Sequence, residues 1–215
     1  MATLLLRLAA PLQSWGSSSK FEIRATEKMP TKSGVVGMLA AALGWKRDAD
    51  LSSLSKLKFG VRADREGEEI TDFHTVHSGK TSYVTYRHYL SDAIFLAGLE
   101  GDEEFLQELG TALRKPRFPL FLGRRSCPPT LPIVIGIRNL PLETALCEEE
   151  PLDQRHEGVL RIQVETDCSG AGIIQDVPIS FDPHRRMYGY RKLKESFQAF
   201  SQKGTEHDAM SELGG

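Results

Sequence analysis

Apolar and polar positions recur with two different periods along this chain, and the switches between them divide it into elements. Thr3 to Ala9 is a short, largely apolar run stopped by Pro11, and it predicts a buried strand. From Pro30 the period changes. Val36, Leu39, Ala40 and Leu43 recur at helical spacing and predict one apolar helix face. Thr31 and Ser33 are N-cap candidates, and Gly44 suits the left-handed residue that ends a helix. Leu51 to Lys56 reads as a second short helical segment. Leu57 to Ala63 alternates and predicts a strand. Ile70 to His77 and Thr81 to Tyr89 are rich in β-branched and aromatic residues around Ser78-Gly79-Lys80, which predicts a hairpin. Ile94 to Leu99 reads as another buried strand. Asp102-Glu103-Glu104 opens a helix with the acidic first turn its dipole favours. Phe105, Leu106, Leu109, Ala112 and Leu113 give its core stripe, and Pro119 to Leu122 reads as a short strand.

The resulting order is the β-α-β-β-α-β arrangement of ferredoxin-like and RRM-like domains, an α+β class. It spans residues 1–127, with the hairpin at about 70–89 as an extension. The aromatic signature of a conventional RRM is missing. Pro128-Pro129 begins a small β-rich region, 128–205. Its expected strands are Ile133 to Ile137, Val159 to Glu165, Gly170 to Ile179 and Tyr188 to Leu193, with a helical turn near Leu142 to Leu146. Residues 206–215 read as a flexible tail.

Charge changes this picture more than composition does. The 215 residues are 40% hydrophobic and 26% charged, ordinary for a globular protein, and the net charge is −2. The signs are segregated. Arg114, Lys115, Arg117, Arg124 and Arg125 form one basic stretch, and Arg185, Arg186, Arg191, Lys192 and Lys194 another. Acidic runs lie at Glu100 to Glu108 and at Glu148-Glu149-Glu150. Segregation at near-neutral total charge suits one anionic partner among different neighbours. Cys127, Cys147 and Cys168 are too scattered for a zinc site or a disulfide framework, and a reducing cytoplasm is expected. The apolar start is interrupted by Arg7 and lacks a basic flank, so no signal peptide or membrane span is expected.

The candidate chemistry is anion binding. The helix start at Lys32-Ser33-Gly34 offers free N–H groups and a cation, although its order is not that of a P-loop. The commoner alternative is an ordinary capped, packed helix, since phosphate binding is a minority use of a helix start. Gly123-Arg124-Arg125 pairs a glycine that permits close backbone approach with two planar phosphate forks. Trp15 either stacks on a base or plugs the core edge, and the core role is the commoner. Tyr86 and Arg87 on the hairpin can stack on bases and hold phosphates, as Lys80 can at its turn. Metal-independent RNA cleavage needs a base and an acid, which Lys80, Tyr86 and His88 could supply. His74 and His77 lack a third ligand, so no metal and no cofactor are expected.

Three blocks taken together resemble one family. They are Leu4 to Gly16, Pro30 to Gly44, and Tyr89 to Ala93 with Lys115-Pro116-Arg117 and Leu122 to Pro128. This looks like the Cas-five (CasD) family of CRISPR-associated RAMP proteins. Asp72-Phe73-His74-Thr75-Val76 and Gly123-Arg124-Arg125-Ser126-Cys127-Pro128 point to its type I-E Cascade branch. The resemblance implies a non-catalytic subunit of an antiviral ribonucleoprotein complex. Such a subunit holds the 5′ repeat-derived handle of the CRISPR RNA and caps the backbone. It packs against the Cas-seven backbone subunit and the large subunit, and meets target DNA only through the assembled complex. Residues 70–89 would be the family's hairpin thumb. The handle would meet Gln13, Ser14 and Trp15, then Lys32, Ser33 and Gly34, then Gly123, Arg124 and Arg125, with Lys80, Tyr86 and Arg87 on the thumb. These segments are expected to converge on one surface. Two alternatives remain: an endoribonuclease like that of the type I-C branch, and an assembly subunit that does not touch RNA.

Overall fold

A computed structural model describes residues 1–16, 23–79, 81–153 and 158–200 of the chain. The first strand, β1 (Ala2–Ala9), is buried along its length apart from half-buried Arg7. Two short strands follow, β2 (Leu12–Gln13) and β3 (Ile23–Arg24). Helix α1 (Lys32–Leu43) starts where the sequence predicts. The Thr31 hydroxyl accepts from the Gly34 N–H at 3.3 Å, and Gly44 ends the helix with φ 78°. One apolar face proves too narrow a description. Val35, Met38 and Ala42 are buried as well as Val36, Leu39 and Ala40, because the helix is enclosed on several sides.

A helical turn, α2 (Ser52–Ser55), leads to β4 (Lys58–Arg65). The hairpin is β5 (Glu68–Ser78) and β6 (Thr81–Ser91), paired from Glu68↔Ser91 to Ser78↔Thr81. It is longer at its base than 70–89. Then come β7 (Ile94–Gly101) and α3 (Glu103–Arg114). Asp102 caps α3, accepting from the Phe105 N–H at 3.1 Å. Pro119 to Leu122, expected as a strand, is irregular. Leu122 is fully buried, and its N–H donates to the Cys127 carbonyl at 2.8 Å, so the run's apolarity serves packing. The strand that follows α3 is β8 (Val134–Arg138), and α4 (Leu142–Glu148) comes next. The last strands are β9 (Gly158–Glu165), β10 (Gly172–Ser180) and β11 (Met187–Phe200).

Seven strands form one sheet in the order β10-β11-β9-β4-β7-β1-β8. All its pairings are antiparallel. The region after Pro128 is β-rich as expected, but its strands extend this same sheet at both sides instead of packing as a body of their own. Residues 206–215 lie outside the described residues. A second sheet is built on β6, which pairs with β5 and β2 antiparallel and with β3 in parallel. It includes the hairpin.

The core occupies both faces of the large sheet. Leu4, Leu6 and Leu8 face α1 and α3, while Leu5 faces α4 together with Leu96, Ile162 and Val164. A Cβ at Gly98 would lie 2.6 Å from Leu142 Cδ1, so α4 sits close to the strands. Arg62 and Asp64 are wholly buried beneath it. The Arg62 guanidinium donates to Asp64 and to the carbonyls of Leu146, Glu149 and Glu150, which pins the end of α4. Among the described residues no helix is long and apolar enough to cross a membrane.

Candidate nucleic-acid interface

The three segments singled out in the sequence do meet, and they meet by packing on one another. Ser14 N–H donates to the Leu122 carbonyl at 3.2 Å. Gly123 has φ 84°, and a Cβ there would strike the Ser14 carbonyl. At Gly34 a Cβ would lie 2.8 Å from the Trp15 ring. Gln13, Ser14 and Trp15 are each almost wholly buried. The Trp15 indole donates to Gln13 Oε1 at 3.1 Å, and Gln13 Nε2 donates to the carbonyls of Leu8 and Ala93. Ser14 Oγ donates to the His88 carbonyl at 3.2 Å. Of the two expected roles of Trp15 the structure shows the core plug, its neighbours brace it, and these three side chains turn away from the surface.

The start of α1 is likewise enclosed. Lys32 is only 2% exposed, and its Nζ donates to Glu165 Oε2 at 2.8 Å. Its backbone N–H donates to Asp176 Oδ2 at 2.8 Å. Asp176 in turn accepts two bonds from Arg191, at 2.6 and 2.9 Å, and the Arg191 guanidinium lies over the Phe59 ring. The helix start does bind an anion, as its dipole favours, but the anion is the protein's own carboxylate. Ser33 is buried beside it, its Oγ 3.4 Å from the capping Thr31 hydroxyl. Nothing near Lys32 in the sequence reveals Asp176, which lies 144 residues away.

What remains at the surface is basic. Gly123, Arg125 and Ser126 are exposed, and Arg124 and Arg87 are half-buried. The Arg124 guanidinium lies 4.6 Å from the centroid of the Tyr89 ring, and its Nη2 donates to the Arg24 carbonyl at 2.6 Å. Among the described residues, Arg124 Nη1 and Arg87 Nε are buried without a hydrogen-bond partner, and neither arginine has an ion pair. Burial pushes the Tyr89 hydroxyl up. Hydrogen bonds with Ser126, Arg124 and Arg87 and the Arg124 charge outweigh that, so it ionises below the ordinary phenol range. Tyr89 and Ser126 were missed as site residues. The signal was available for Tyr89, which stands two positions beyond Arg87 on a strand and so shares its face.

The opposite face of the hairpin is different. Phe73 and Tyr86 stand across from each other, 69% and 48% exposed, and β3 adds exposed Ile23 beside Tyr86. His88 shares this face, its Nδ1 2.8 Å from Glu69 Oε1 and 3.2 Å from Thr71 Oγ1. Lys80 lies outside the described residues. His74 faces the other way, its Nε2 2.6 Å from Asp72 Oδ2, and His77 meets Ser82.

An unpaired guanidinium pair beside an exposed aromatic hairpin is a surface suited to a phosphate chain, on a mixed α/β scaffold that is mostly sheet. The family model described as CRISPR-associated protein (Cas_Cas5) matches residues 3–194, and the chain belongs to that family. It is 38% identical over 157 residues to the CRISPR system Cascade subunit CasD of Escherichia coli strain K12, covering 62% of this chain and 70% of that one. Among solved structures it is similar to a chain of a CRISPR RNA-guided surveillance complex. That match has a TM-score of 0.82 and 33% identity over 98% of this chain and 97% of the other. A structure described as a Cas protein matches with a TM-score of 0.68 and 40% identity, over 91% and 94% of the two chains.

Proposed function

We propose that this protein is a Cascade-type subunit of an RNA-guided CRISPR surveillance complex, and that it holds the 5′ handle of the CRISPR RNA without cleaving it. The similarity over nearly the whole chain to a component of such a complex carries this reading. On it, β1, α1, β4, β7, α3 and β8 are the RAMP ferredoxin-like unit, β5–β6 is the thumb, and β9 to β11 extend the sheet. The Gly123-Arg124-Arg125 loop and Arg87 receive the handle's phosphates. Tyr86 and Phe73 present aromatic faces to bases or to the neighbouring backbone subunit. Gln13, Ser14, Trp15, Lys32, Ser33 and Gly34 act behind this surface and hold the loop in place.

The ribonuclease alternative asks His88 to act as a general base or acid. Its ring is tied to Glu69 and Thr71 on the face that carries Tyr86, so an acid and a base do stand together there. One gel separates the readings. Labelled repeat RNA and mature handle-bearing RNA are incubated in chelator with the wild-type chain and with His88→Ala. Retention of the mature RNA without cleavage is expected. Specific cleavage that disappears in His88→Ala moves the chain to the ribonuclease branch.

A further inference from the structure

The basic bay around Tyr89 takes up one of the two basic stretches of the sequence. The other lies on the β10–β11 ribbon, which the proposed handle surface does not use. β10 is an edge strand of the large sheet and pairs only with β11, from Gly172↔Leu193 to Ser180↔Met187. Arg191 points from this ribbon to Asp176 and the Phe59 ring, on the side of α1. Strand alternation therefore puts Tyr190 and Lys192 on the opposite face, with Gln175 and Ile173 across from them. All four are exposed, Tyr190 at 69%. The face continues to Lys194, which is spent on Glu143 of α4. At the ribbon's turn Arg185 and Arg186 are exposed as well, and Phe181, packed against the core, anchors that turn beside Gly37 of α1. The ribbon's two acids are occupied. Asp176 accepts from Arg191 and from the Lys32 N–H, and half-buried Asp182 accepts from the His184 N–H at 2.8 Å. Among the described residues Arg185, Arg186 and Lys192 have no ion pair.

Resting on the Cascade-subunit reading, we infer that the outer face of this ribbon is a second nucleic-acid surface, that it takes an unpaired strand, and that its occupant is the DNA strand set free when the guide RNA pairs with its target. An exposed tyrosine between cations gives a base a stacking platform and gives phosphates a charge. The bases of a duplex are already stacked on one another and leave Tyr190 nothing to hold. Ile173, opposite Lys192, adds apolar surface for a thymine methyl. The face looks away from α1, whose Gly34 meets the Trp15 ring behind the handle surface, so a strand here does not compete with the handle. Guide pairing leaves one DNA strand single, and a surface that holds it without reading sequence opposes its return to the duplex.

The test uses the full chain saturated with handle-bearing RNA, so that the handle surface is filled, and a short fluorescent single-stranded DNA of mixed sequence. The strand should bind, and the same sequence as a duplex should bind about tenfold more weakly. Tyr190→Ala should weaken the single strand about tenfold, and Tyr190→Phe should keep it. Arg185→Gln together with Arg186→Gln should lower the slope of log affinity against log salt by about 1.4. Handle affinity should be unchanged in every variant, and thermal melts confirm that each folds. In the assembled complex on a target duplex, Tyr190→Ala should expose thymines of the displaced strand to permanganate and leave the ribonuclease footprint of the guide as it was. No single-strand binding by the wild-type chain, or equal binding by Tyr190→Ala, overturns the inference. So does a changed footprint on the guide in place of the displaced strand, which makes the occupant RNA. So does failure of the Tyr190→Ala chain to enter the complex, which makes the face a protein contact. Each of these leaves handle binding intact. Absence of handle RNA from both the free chain and the complex is a different result: it overturns the Cascade-subunit reading and the inference with it.

Discussion

The start of α1 and the bay around Tyr89 hold similar cations in opposite conditions. At the helix start, Lys32 and Arg191 face Glu165 and Asp176, and the charges close on one another. In the bay, Arg87 and Arg124 face a phenol and a carbonyl, and among the described residues neither has an ion pair, the Asp72 across the hairpin from Arg87 being held by His74. Both regions read as anion sites from sequence. What separates them is whether the fold delivers a carboxylate of its own. A basic residue in a glycine-containing loop therefore says little about a ligand until its internal partners are known.

The largest effect should come from unmaking the closed site. Asp176→Ala strips Arg191 of its partner and the Lys32 N–H of its acceptor, and should cost about 3–5 kcal/mol in a denaturant melt. A loss under about 1 kcal/mol would mean that the network contributes little and that the comparison fails. Lys32→Met is the milder version. Glu165 keeps its bond from the Phe59 N–H at 3.2 Å, so the cost should be about 1–3 kcal/mol. Its handle affinity should equal that of wild type, and a clear loss would return Lys32 to the RNA-contacting set. Arg124→Gln should invert this pattern. Its stability should change by less than about 1 kcal/mol while RNA affinity falls, because no carboxylate is orphaned.

The smallest effect is a pH dependence. In the folded chain Tyr89 loses its proton below the ordinary phenol range, whereas the unfolded chain still binds it there. Stability should therefore gain an increment as pH rises through that window. Tyr89→Phe should lack the increment. Paired melts of wild type and variant across alkaline pH measure it, and parallel curves would remove the guanidinium groups from the phenol's surroundings.

Much of the scaffold was legible because its causes are local. The Thr31 and Asp102 caps, the acidic first turn of α3, the Gly44 stop and the alternating hairpin all act within a few residues. The misses are long-range. Pro119 to Leu122 has the apolarity of a strand, but the place beside β1 is taken by Val134–Arg138. Nothing in the pattern of β9 says that it pairs with β4, so the later region read as separate. Lys32 read as exposed because a lysine is seldom buried unless paired, and its partner is 133 residues away. Among the expected handle residues, Gln13, Ser14 and Trp15 turn their side chains into the core, and no local pattern separates that from a loop facing outward. The loop at Arg124 was legible as basic, but its incompleteness was visible only once the neighbours of each nitrogen were known.

The dependence of α1 on Asp176 also bears on how the chain is made. Synthesis delivers β1, α1, the hairpin and β7 long before the residues that close the helix start. A ribosome that stops short of Gly158 releases a product whose Lys32 and Phe59 lie uncovered, with a bare edge at β4 where β9 should pair. Such a fragment carries its own mark of incompleteness. Proteases that recognise exposed apolar surface and open strands can remove it before it competes for a place in an assembly.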